Sequence, residues 1–269
     1  MPHRTKLTVA YLGGSFHGWQ RQPEQRTVQG ELERALAVMT GGLQAAVVGA
    51  GRTDAGVHAA GQVAHLDLPV PIPPEGIVRG LNGLLPEEIR VRAAAAVSDV
   101  FHARRSALGK LYSYRARWWP SPMPWLGTRC AVVAPVTDPG ALTRAAALLV
   151  GRHDLASFTV PEAAAEPTVR TLFRVRTEAR RDGLDLHFIG DGFLRYQVRR
   201  MVGALLAVGR GRLEVADVAR LLADPRPGAP ILTAPARGLT LERVFYRPVP
   251  QLGVTAAGEP PRGRSKRAC

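Results

Sequence analysis

Ala45-Ala-Val-Val-Gly49-Ala-Gly-Arg-Thr-Asp-Ala-Gly-Val-His58 runs from an apolar segment into a loop where three glycines flank Arg52, Thr53 and Asp54. Residues 45–48 read as a buried strand. Glycine has no Cβ, so the chain can turn sharply there and a large partner can come close. One carboxylate and one guanidinium therefore stand on a tight loop at a strand end, where catalytic groups often sit. A glycine turn whose aspartate bonds its own backbone would read the same way.

Working outward, residues 7–12 alternate weakly and read as a strand, broken by Gly13-Gly14. Thr27 caps a helix whose stripe is Val28, Leu32, Ala35, Leu36 and Met39, ended by Gly41-Gly42. After the Asp54 loop come a strand at 62–68, a short helix at 75–84 and a strand at 89–97. The second half opens near Ala107 with a strand at 110–118. A loop rich in tryptophan and proline follows at 119–125. Asp138-Pro139 starts a helix, and residues 157–167 read as an irregular insert. A hairpin turns at 181–183, with strands at 169–178 and 184–189. Helices at 196–208 and 213–223 and a strand at 239–246 close the chain.

The first half thus has the order β-α-β-β-α-β, and the second repeats it with one extra helix. The expected fold class is α+β, with two ferredoxin-like subdomains, 1–106 and 107–250, whose sheets lie side by side around a central basic cleft. Residues 251–269 form a basic tail of proline, glycine and charge without apolar period, expected to be disordered.

Of the 269 residues, 36 are Lys or Arg and 22 Asp or Glu, a net charge of +14. The tail holds four cations against Glu259, a net of +3, which leaves +11 on the body. A polyanionic partner is the simplest consequence. No basic helix with a bulky apolar face points to a membrane surface. The two cysteines, Cys130 and Cys269, suit neither a disulfide framework nor a zinc site, so a reduced, cytoplasmic setting is expected. No nucleotide-binding loop occurs: position 54 is Asp where a dinucleotide pattern needs its third glycine. The seven histidines are scattered, and His58 reads as a turn residue rather than a metal ligand.

Asp54 would need partners from the second half. Arg199 lies three residues before Val202 and seven before Leu206, at the edge of an apolar stripe. Turned inward it requires an anion; the pattern leaves it equally free to snorkel to solvent. Paired with Asp54 it would hold that carboxyl below its usual range. Arg195 and Arg200 are expected to face solvent or nucleic acid. Tyr112 shares one strand face with Lys110 and Tyr114. It offers either simple sheet packing or a surface on which a base can stack.

Gly-Arg-Thr-Asp-Ala-Gly-Val-His resembles the active-site signature of the TruA family of tRNA pseudouridine synthases. Phe101-His-Ala-Arg104 with Lys110-Leu-Tyr-Ser-Tyr114 is similar to the family's second motif, and Val198-Arg-Arg-Met-Val-Gly203 to its third. Residues 11–22 resemble its N-terminal stretch, and Gly238-Leu-Thr-Leu241 its closing strand. The likeness spans residues 5–247. Gln197-Val198 stands where the family shows Asn-Met, and Leu155 replaces an aromatic.

The resemblance implies isomerisation of uridine to pseudouridine in the anticodon stem-loop of tRNA, at positions 38, 39 and 40, by a homodimer without cofactor. It assigns Asp54 as nucleophile or initiating base, Arg199 as the residue that holds and ionises it, and Tyr112 as the stacking ring that also handles the C5 proton. Arg52 would fill the space of the flipped base or grip a phosphate. Attack at C1′, attack on the ring and proton removal from C2′ all remain open. An N-glycoside hydrolase and a non-catalytic RNA chaperone are the rival readings.

Overall fold

The structure, a computed structural model, describes residues 3–42, 44–118, 128–163, 167–249 and 252. The loop at 119–125 and the tail at 251–269, apart from Leu252, lie outside the described residues.

Ten strands and five helices make up the described residues: β1 (His3–Tyr11), α1 (Val28–Met39), β2 (Val48–Gly49), β3 (His58–Leu68), α2 (Pro74–Leu84), β4 (Ile89–Ala96), β5 (Gly109–Trp118), β6 (Ala131–Val133), α3 (Pro139–Leu148), β7 (Gly151–Asp154), β8 (Val169–Arg180), β9 (Gly183–Gly190), α4 (Gln197–Gly209), α5 (Val215–Ala223) and β10 (Leu239–Phe245). The chain is mixed α+β.

All strands belong to one open sheet, ordered β4-β1-β3-β10-β5-β9-β8-β7, with β2 on β3 and β6 on β5. The two halves meet at β10. It pairs parallel to β3 through Thr240 and Leu241, and antiparallel to β5 along Leu239 to Phe245. The expected pair of sheets is therefore continuous across the middle. A parallel contact of this kind leaves no periodic mark in sequence.

Local signals explain most elements. Thr27 Oγ1 accepts from Gly30 N and starts α1. Asp138 Oδ1 accepts from Ala141 N at the start of α3. The α1 stripe Val28, Leu32, Ala35 and Leu36 is fully enclosed, as are Leu142 and Ala145 of α3. The hairpin β8–β9 pairs from Arg180 with Gly183 to Leu172 with Gly190. Two expectations change. Only Val48 and Gly49 of the run before the Asp54 loop pair as a strand, and β3 begins earlier than expected, at His58. β6 and β7 were not anticipated, being too short to carry alternation.

One large apolar core runs beneath both halves, from Leu7 and Leu36 to Leu205 and Leu241. A smaller cluster forms around Ile189 and Phe245, with Leu108, Leu111 and Phe173 packed on it. Leu111 and Tyr112 are neighbours in β5, so alternation sends them to opposite faces.

Candidate active site

The Asp54 loop is fastened to the first half on every side. Ala50 N donates to Val63 O, and Trp19 N to Thr53 O. Val57 N closes a turn onto Asp54 O. Tyr11 Oη and Thr53 Oγ1 are 2.8 Å apart, and Gln62 Nε2 donates to Gly51 O at 2.9 Å. His58 Nδ1 accepts from Gly13 N at 3.1 Å, which makes it a structural acceptor. Tyr11, Thr53 and Gln62 were not singled out from sequence. They are buried polar groups whose need for partners becomes visible only in three dimensions. Burial pushes the Tyr11 phenol up to about 12.

Across the β3–β10 seam stands Arg199, on the first turn of α4. Its Nη1 lies 3.3 Å from Asp54 Oδ2, and its Nε donates to Ala234 O at 2.8 Å. The side chains of Arg199 and Asp54 are 14% and 20% exposed. Ala234 is where it is because α4 carries Gly203: a Cβ there would meet Leu232 O at 1.8 Å. The missing side chain lets residues 232–234 lie against the helix, and Ala234 N also donates to Arg199 O. Tyr196, just before α4, holds φ 60°, a left-handed conformation rare for a bulky residue. The guanidiniums of both Arg195 and Arg199 lie 5.0 Å from its ring centre.

The electrostatic balance differs from the sequence expectation. Burial raises the Asp54 carboxyl above its ordinary value, and the attraction of Arg199 and then Arg195 offsets this only in part. Desolvation penalises the anion more than one ion pair at 3.3 Å relieves.

Arg200 is the second correction. Expected at the surface, it is 7% exposed. Its guanidinium donates to the carbonyls of Ile231, Ser157 and Ala229 at 3.2, 3.2 and 2.5 Å. It braces the segment that presents Ala234, and among the described residues no carboxylate is among its partners.

Tyr112 is 6% exposed and meets Phe193 edge-on, with ring centres 5.2 Å apart. Burial chiefly, then Tyr11 and Asp54, push its phenol well above the usual range. It therefore keeps its proton at neutral pH. Tyr114 is fully buried and donates to Pro235 O. Arg52 is exposed, and its Nε donates to Gln20 Oε1 at 3.1 Å. Asp54, Arg199 and Tyr112 are thus brought together, while Arg52 stands at the rim.

The family model described as tRNA pseudouridine synthase matches residues 7–104 and 145–247. The chain belongs to the tRNA pseudouridine synthase family. Curated relatives agree with that membership. tRNA pseudouridine synthase A of Syntrophotalea carbinolica is 44% identical over 243 residues, covering 90% of this chain and 96% of the relative. That of Lactobacillus helveticus is 42% identical over 91% of this chain and 95% of its own. That of Geobacillus kaustophilus is also 42% identical, with the same two coverages. Both matched segments of this synthase family model contribute to the site: Asp54 lies in the first and Arg199 in the second. No helix among the described residues is long and apolar enough to cross a membrane.

Proposed function

We propose that this protein isomerises uridine to pseudouridine in tRNA, with Asp54 starting the reaction on a uridine turned out of its stack. Membership of the synthase family carries the reaction and the substrate class. The observation that carries the assignment to Asp54 is its enclosed carboxylate, held by an arginine from the other half of the chain.

In this reading the N1–C1′ bond breaks, the uracil turns over, C5 bonds to C1′, and the C5 proton leaves while N1 gains one. Asp54 acts as nucleophile or initiating base. Arg199 orients it and favours its ionised form. Tyr112, with Phe193 at its edge, offers the ring against which the uracil rests. Arg52, exposed two residues before Asp54, fills the space left by the turned-out base or grips a phosphate. Extruding the base costs a few kcal/mol, which phosphate contacts to a strongly basic body offset.

The targets are uridines 38, 39 and 40 of the anticodon arm, and the working unit is a cytoplasmic homodimer. The strand orders β4-β1-β3-β2 and β10-β5-β9-β8 support two ferredoxin-like units, 1–106 and 107–250, followed by the tail at 251–269.

Release of tritium from C5-labelled uridine in tRNA tests the proposal. The isomerase releases tritium without freeing uracil. Free uracil would mean a hydrolase, and binding with neither product a chaperone.

A further inference from the structure

Lys110 has no task in the chemistry above. Strand alternation puts it on the β5 face of Tyr112 and Tyr114. It pairs with Gly190 on β9 and Val244 on β10. From there its side chain reaches over the seam to the Asp54 loop: a Cβ on Gly51 would lie 2.7 Å from Nζ. Gly51 thus leaves room for an ammonium three residues before Asp54.

The surroundings of that ammonium are unusual. No carboxylate lies within ion-pair distance of it among the described residues. Asp191, the one anion acting on it among the described residues, has Oδ2 engaged by Thr171 N at 3.0 Å. The cations Arg104 and Arg170 also bear on it. Arg170 lies over Gly192, where a Cβ would sit 3.4 Å from its Nε. Burial first, and then these two arginines, lower the Lys110 ammonium to about 8. Lys110 is half-buried, and a partly desolvated cation facing like charges gains when an anion joins it.

We propose that Lys110, with Arg104 and Arg170, holds one backbone phosphate of the RNA at the mouth of the Asp54 cleft. This rests on the isomerase reading, which supplies the anion: phosphates are the charges that a tRNA brings to the surface. A compact ammonium on a flexible stem binds phosphate as a point charge. Docking would neutralise the cluster and fix the strand next to the turned-out nucleotide.

The test compares wild type, Lys110→Met, Lys110→Arg and Arg170→Gln on an unmodified tRNA transcript. Binding is measured across a potassium chloride series, and pseudouridine formation at several tRNA concentrations. For Lys110→Met the slope of log Kd against log salt should fall by about 0.7–0.9, the share of one phosphate. KM should rise on the order of tenfold, more than kcat falls, and Lys110→Arg should recover most of the loss. Arg170→Gln should show the same change in smaller degree, and it carries the slope test if the Met variant does not fold. An unchanged salt slope in both Lys110→Met and Arg170→Gln overturns the proposal. So does a collapse of kcat with KM unmoved, which would make Lys110 a proton carrier. Failure of the isomerase reading itself shows separately, as wild type that forms no pseudouridine.

Discussion

Arg199 joins the two halves of the chain at Asp54: Nη1 stands 3.3 Å from Oδ2, while Nε is fixed by the Ala234 carbonyl at 2.8 Å. The guanidinium is thus oriented from its own half before it meets the carboxylate. In the proposed reaction, substrate reaching Asp54 would find a partner whose geometry is already set, which is what positioned electrostatics requires.

Replacing Asp54 with Asn keeps the shape and removes the anion. Tritium release should fall by more than about a thousandfold, in the range seen when a nucleophile is lost. The tRNA Kd, read by filter binding, should stay within a few-fold of wild type. Full turnover by this variant would remove Asp54 from the mechanism.

The same variant has a stability signature. Because the folded-state carboxyl is raised above 3.8, the native protein binds that proton more tightly than the unfolded chain does. The Asp54 contribution therefore becomes less favourable as pH rises through the carboxyl range, and the full penalty is present at neutral pH. The melting temperature of Asp54→Asn relative to wild type should increase from pH 4 to pH 7. A difference that is flat or falls with pH contradicts the burial argument.

Arg199 lowers the Asp54 carboxyl against the effect of burial. Arg199→Gln should move the acid limb of the kcat/KM profile to higher pH, and Arg199→Lys should move it less. Loss of the charged hydrogen bond to Ala234 should also cost about 1.5–3 kcal/mol in denaturant unfolding. An unshifted limb with an inactive enzyme would make the arginine a substrate contact rather than a partner of Asp54.

Gly203 lies on α4 one turn from Arg199, with Leu232 and Ala234 against it. A Cβ at that position would overlap Leu232 O, so Gly203→Ala must push residues 232–234 away from the helix. Stability should drop by about 1–3 kcal/mol. The acid limb should shift as in Arg199→Gln, because Ala234 no longer steadies the guanidinium. Wild-type stability and pH profile in this variant would show that the loop is free to move without consequence.

Much of the arrangement was legible from local pattern. The helix stripes, the caps at Thr27 and Asp138, and the hairpin around residues 181–183 follow from period and turn chemistry. Asp54 stood out by its glycine setting and its motif. What was hidden depends on packing between distant segments. Arg199 and Arg200 are adjacent on α4, and period alone placed the first at the stripe edge and the second outside. The approach of residues 229–234 to the helix encloses Arg200, and nothing local announces that approach. The Asp54 shift has its direction for the same reason: sequence pattern signals the ion pair with Arg199, but not the depth of the cleft that raises the carboxyl.

The position of β10 has a bearing on how the molecule is made. Of the described strands, β10 leaves the ribosome last, and it occupies a central slot of the sheet, between β3 and β5. Until it emerges, both of those strands present open hydrogen-bonding edges, and such edges invite pairing with other chains. Maturation therefore waits on residues 239–245, and a chain cut short before residue 239 yields a sticky product rather than a smaller working one.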